Sequence, residues 1–267
     1  MCQGRAPAFP LQSAAPLTNN YMPGQKTTES GPLGGAELLK AQIERNRAWR
    51  AAHAGDHPLG RSLQVLRRWQ AQRLARTYAD LLASERYRPA AEFFLSDLYG
   101  EKDFSRRDEN VERMYPSMVK MLPDAALHTI ALAVELHVLS AELDRALCEV
   151  LSGEMGIRDR ITESQYAEGF RRCANLRQRQ RQVELIRQVG VDLDAVVRKP
   201  MIQQILRIAR KPAQVAGFGE LHDFLERGFN AFHHMGGAGE FLETIAARET
   251  RIMDRIFEGH PRPFSVG

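Results

Sequence analysis

Residues 124–152, DAALHTIALAVELHVLSAELDRALCEVLS, decide the fold. Leu127, Ile130, Ala131, Val134, Val138 and Ala141 recur at helical spacing along one side, and Leu132, Leu136, Leu139, Leu143 and Leu147 along another. Only His128, Glu135, Glu142 and Glu149, seven residues apart, leave a polar strip. A helix that is apolar over most of its circumference has to be surrounded by others, so this stretch predicts the central helix of a bundle.

The flanks agree with that expectation. No run shows sustained period-2 alternation with β-branched residues, so the fold class is all-α, a multi-helix bundle ending in a helical hairpin. Helices are expected over 36–53, over 59–85 with Leu63, Leu66, Trp69, Leu74, Tyr78 and Leu81 on one side, and from Pro89 to Tyr99 with Gly100 just past the end. Ser105 followed by Asp108 resembles a capping box and opens a helix that Pro116 should kink. Thr162 with Gln165 opens another, expected to run through Arg187 and stop near Gly190, and its middle, Arg177 to Gln182, has no apolar residue and should be largely wet. Residues 192–216 read as one or two short helices, split at Pro200 and stopped near Pro212. The last two helices, 220–235 and 239–258, form a hairpin turned at Gly236-Gly237-Ala238-Gly239. Residues 1–34 hold five of the 13 prolines and read as a disordered tail. Residues 35–260 form one helical domain, divisible into lobes at 35–155 and 156–260, and 261–267 a short tail.

A chain of 267 residues with 43% hydrophobic content can bury a full core. Its net charge of +4 is uneven: the segment from Arg171 to Lys211 carries +8 and the rest −4. Such a segment can attract an anionic partner or surface, or can be a set of solvated helix faces. With 31 arginines against six lysines, arginine richness by itself carries no functional meaning. Cys2, Cys148 and Cys173 make an odd set without CxxC spacing, which excludes a disulfide framework or zinc knuckle and fits a reducing compartment. Pro7, Pro10 and Pro16 interrupt the apolar start, and no transmembrane-length run is read, so the expected location is cytoplasmic. Self-association into a homo-oligomer stays open.

The sequence contains no Glu-x-x-His, no Gly-x-Ser-x-Gly elbow and no phosphate-binding loop. His53 and His57 straddle Gly55, and His222 with Glu226 is a lone i, i+4 pair, so no metal and no cofactor is expected. Residues 198–211 are amphipathic and cationic, suited either to an anionic membrane interface or to packing in the bundle.

Two features invite a site. Phe93 to Asp108 packs Asp97, Tyr99, Asp103, Arg107 and Asp108 between aromatic anchors. These residues either cap helices around Gly100 or form the polar floor of a ligand pocket. Glu249 falls inside the stripe Leu242, Ile245, Ile252 and Ile256, so it is either buried against a cation or at the stripe's edge.

FFLSDLYG at 93–100, DFSRRD at 103–108 and FLERGFNAFHHMGGAGEFLETIAARE at 224–249 resemble a family of uncharacterised bacterial proteins. The resemblance spans most of residues 60–260 and implies an all-helical bacterial protein with no assigned activity, so it supplies no catalytic residue. The expectation is a non-enzymatic helical binding or interaction protein, with an enzyme or small-ligand binder built around Asp97 to Asp108 and Glu249 as the alternative.

Overall fold

The computed structural model describes residues 33–55, 57–98 and 105–266, and no strand occurs among them. Residues 1–32 of the tail expected over 1–34, and the turn at Gly100, lie outside the described residues. In chain order the α-helices are α1 (Gly35–His53), α2 (His57–Thr77), α3 (Ala79–Ala83), α4 (Arg88–Phe93), α5 (Ser105–Met121), α6 (Asp124–Glu149), α7 (Glu163–Arg172), α8 (Leu176–Val197), α9 (Pro200–Val215), α10 (Gly219–Met235) and α11 (Gly239–Phe257). Two π-helical turns, Phe94–Leu98 and Val150–Glu154, continue α4 and α6.

Helix α6 is the central helix. Its first apolar side meets α1 and α5 in a cluster of Leu39, Met118, Leu127 and Ala131. Its second meets α8, where Leu132, Leu139 and Leu143 close on Leu185. The polar strip is used in ion pairs: Arg45 of α1 donates to Glu142 at 2.6 Å, and Arg181 of α8 makes a bidentate pair with Glu135, both bonds 2.9 Å. Contrary to the sequence reading, the 31 residues Asp124–Glu154 are long and apolar enough to cross a membrane by length and composition alone. In this fold their apolar sides are covered by other helices of the chain.

The capping box forms in both directions, with Gln165 N donating to Thr162 Oγ1 at 3.2 Å and Thr162 N to Gln165 Oε1 at 2.9 Å. Thr162→Ala should therefore cost about 1 kcal/mol, read as a lowered midpoint in urea with unchanged slope; an unchanged midpoint would contradict it. The helix so opened is shorter than expected. It stops at Arg172, and Ala174 turns the chain at φ 49° before α8 begins. Gly190, expected to end that helix, sits inside α8. A Cβ there would lie 2.3 Å from Leu242 Cδ2, so the glycine lets α8 approach α11 closely. Helix α8 then runs to Val197, and α9 continues through Pro212 to Val215.

The closing residues pack rather than trail. Val266 is buried, Phe264 stands edge-on to Trp69 at 5.5 Å, and Arg255 Nη1 donates to Ser265 O at 2.6 Å.

Candidate functional site

Helices α2, α6, α7, α8 and α11 converge on a cavity of about 60 Å³ whose lining is rich in charged and polar groups. Helix α2 contributes Gln70 and Arg73, α6 Asp144, α7 Tyr166, α8 Arg179 and α11 Glu249, while Phe94 and Phe264 complete the wall. At roughly 10–15 Å³ per water such a space holds a few waters or one compact ion.

Arg73 and Glu249 form its deepest ion pair. Arg73 Nη1 donates to Glu249 Oε1 at 2.5 Å, and Tyr78 Oη donates to the same oxygen at 2.7 Å. Burial works to lower the Arg73 guanidinium, but the adjacent Glu249 carboxylate, together with Tyr166 and Tyr78, more than offsets it and holds the group above the ordinary arginine value. On the other side Gln70 Nε2 donates to Asp144 Oδ1 at 2.9 Å. Burial pushes the Asp144 carboxyl up from its usual range, opposed by that bond and by the charges of Arg179 and Arg67. Tyr166 stacks on Trp69 with ring centres 4.0 Å apart, and burial raises its phenol against the pull of Arg179 and Arg73.

Arg179 is the exception in a stretch that is otherwise largely wet, with Arg177, Gln178, Gln180 and Arg181 exposed. It is only 5% exposed, lies 4.5 Å over the Phe170 ring, and donates through Nη2 to Leu143 O at 3.3 Å. Gln182 joins it as a lining residue and donates to Ser140 Oγ at 2.8 Å. A stretch without apolar residues can be buried in this way because the arginine stem and planar head pack on an aromatic face while the donors find carbonyls.

Two donors at this cavity are unspent: the Nε groups of Arg73 and Arg179, both buried, have no hydrogen-bond partner. Leaving a buried donor of a charged group unmade costs about 1–3 kcal/mol or more. The thiols of Cys148 and Cys173, which do not line the cavity, are pushed up by burial.

Of the candidates read from the sequence, Glu249 lines the cavity and Asp108 does not. Asp108 Oδ2 is 3.0 Å from Nε2 of His137 on α6, which ties the start of α5 to the central helix. Tyr99, Asp103 and the side chains of Asp97 and Arg107 lie outside the described residues. Gln70, Arg73, Asp144, Tyr166 and Arg179 were missed. Two signals were present. Arg73 interrupts the α2 stripe four after Trp69 and seven after Leu66, as Glu249 interrupts that of α11. Asp144 falls about 200° around α6 from Glu142, opposite the polar strip.

Two of the family-like stretches, 93–100 and 224–249, meet beside this cavity. The Phe93 ring packs where a Cβ on Gly228 would come within 2.9 Å of it, and Arg248 bridges Asp80 with two bonds of 2.7 Å. Tyr87 donates to Glu240, and Ala238 N donates to Asp194 Oδ1 at 3.1 Å. These residues therefore dock α3 and α4 and the end of α8 on the α10–α11 hairpin.

His222, Asp223 and Glu226 bring three ligand atoms within 4.8 Å of one another. The Glu226 carboxylate already accepts from Arg210, and His222 Nε2 lies 2.7 Å from Leu206 O. Through these two contacts the cluster takes part in the α9–α10 packing.

A family described as a domain of unknown function, DUF8198, matches residues 49–263. No curated protein and no solved structure matches the chain.

Proposed function

The chain belongs to this family of unknown function, and from that premise we propose that it is a binding protein rather than an enzyme, holding a compact oxyanion of carboxylate or phosphate size in the interior cavity. The observation that carries the reading is the pair of buried arginines with unspent Nε donors on one small polar space. Planar guanidinium donors suit oxyanions because they offer directed, charge-assisted bonds. The absence of an activated nucleophile among the lining residues favours binding over turnover. Gln182, Val183 and Ile186 of α8 are part-exposed lining residues, which makes this wall the route of entry.

Asp144 gives the reading a pH dependence. With Asp144 and Glu249 ionised, the two acids balance Arg73 and Arg179. Because burial holds the Asp144 carboxyl above its usual range, it takes up a proton as pH falls through that raised value, and the cavity gains one positive charge. Anion affinity should therefore rise on acidification and fall on return to neutral pH.

The test is calorimetric titration of the full chain with inorganic phosphate, acetate and, as a control, chloride. Saturable binding of an oxyanion is expected, weakened at least about tenfold by Arg179→Gln, the loss of a charged hydrogen bond. Tyr166→Phe, which keeps the ring stack, serves if Arg179→Gln does not fold and should weaken binding to a smaller degree. No heat and no thermal stabilisation with any oxyanion would leave the cavity to water and overturn the reading.

A further inference from the structure

Helix α9 carries a second, independent surface. It is amphipathic yet buries none of its residues fully. Ile202 and Leu206 lean on the core, whereas Met201, Ile205, Ile208 and Val215 form another apolar stripe facing outward, from 51% exposed at Ile205 to 91% at Val215. The helix rests mainly on α10, over a groove of about 440 Å³ that includes Gln203, Arg207, Glu226 and Phe229. Packing within the bundle thus accounts for only one of its two apolar sides.

The charge along α9 itself is one-sided. No acidic residue occurs between Arg198 and Gly219. Most of the positive excess from Arg171 to Lys211 is spent elsewhere: Arg171 and Arg172 pair with Glu168, Arg181 with Glu135, Arg187 with Glu184, Arg198 with Asp194 and Arg210 with Glu226. Lys199, Arg207 and Lys211 have no ion pair among the described residues, and all three lie on α9 or at its start. Arg177 and the buried Arg179 of α8 also lack an ion pair among the described residues, so the exposed unpaired charge of the segment gathers mainly, though not wholly, on α9.

We propose that α9 docks flat on an anionic lipid surface, with Met201, Ile205, Ile208 and Val215 entering the headgroup–acyl boundary and Lys199, Arg207 and Lys211 meeting lipid phosphates. Apolar area flanked by unpaired cations is the combination that an anionic interface complements. A second copy fits less well, because a two-fold contact through this stripe would bring the same three cations towards each other. This surface is separate from the interior cavity, so either can fail without the other.

Vesicle co-sedimentation of the full chain tests it, using phosphatidylcholine vesicles with and without phosphatidylglycerol at low salt. At about fivefold per cation, three cations give a preference for the anionic vesicles on the order of a hundredfold, fading as salt rises. Lys199→Gln/Arg207→Gln/Lys211→Gln should abolish the preference, and Ile205→Asp/Ile208→Asp should abolish retention even on anionic vesicles. Both variants change exposed side chains, so their melting should match the parent. Absence of retention on anionic vesicles overturns the proposal, as does retention that neither variant reduces. A dimer by light scattering that Ile205→Asp/Ile208→Asp dissolves, without vesicle binding, would assign the stripe to self-association and overturn it too.

Discussion

Glu249→Ala should destabilise the fold by about 3–5 kcal/mol, the range for breaking a buried ion pair from one side. The Glu249 carboxylate accepts from both Arg73 and Tyr78, and the two charged side chains of the pair are only 9% and 17% exposed. Removing the acid leaves a guanidinium whose Nε is already without a partner, now facing an apolar methyl group. The cost is therefore mainly that of stranding Arg73 rather than the worth of the pair itself. Arg73→Met/Glu249→Leu separates the two, since replacing both charges with apolar groups of similar size should recover most of the loss. Chemical denaturation at neutral pH measures both variants. A loss below about 0.5 kcal/mol for Glu249→Ala, the range of ordinary surface substitutions, would mean that solvent screens the site.

Gly190→Val should cost about 3 kcal/mol, at the upper end for overpacking a filled core. A Cβ at this position meets Leu242 Cδ2 at 2.3 Å and Cδ1 at 3.0 Å, and Leu242 is itself buried within the cluster that holds Phe241 and Ile245. Alanine gains about 1 kcal/mol in helix propensity over glycine, but the close approach removes that advantage. The coupling is directly measurable. If the clash is with Leu242, Gly190→Ala combined with Leu242→Ala costs less than the sum of the two single changes, because the shortened leucine makes room. Additive losses would place the strain elsewhere along α8.

Local pattern carried much of the architecture. The two apolar sides of α6 could be read residue by residue, because a side chain's position around a helix depends only on its spacing from its neighbours. The structure assigns those sides to α1 with α5 and to α8. The capping box at Thr162 and the hairpin turn after Met235 were legible for the same reason: donor and acceptor, or glycine and helix end, are a few residues apart. Glu249 was readable as an anomaly in its stripe, and so, on the same rule, was Arg73. That they belong to each other was not readable, since they are 176 positions apart and no local rule selects one cation among 31 arginines and six lysines.

Arg179 marks the limit of sequence reading most clearly. Its neighbours are all polar, so periodicity assigns it to water. Burial follows instead from the Phe170 ring beneath it and the Leu143 carbonyl beside it, which come from α7 and α6. Gly190 shows the converse: the sequence offered a helix stop, but helical hydrogen bonding continues through glycine when a neighbouring helix needs the space. The basic segment was likewise visible only as a sum. Which of its cations face solvent was decided by acids on α6, α10 and α11 and within α7 and α8 that reach most of its arginines, Arg210 of α9 included, and leave Lys199, Arg207 and Lys211 without an ion pair among the described residues. The sequence by itself determined the helices and their apolar sides, because those depend on spacing along the chain. Tertiary structure alone decided the cavity, its charge balance and the exposed face of α9, because each depends on which distant side chains share one small volume.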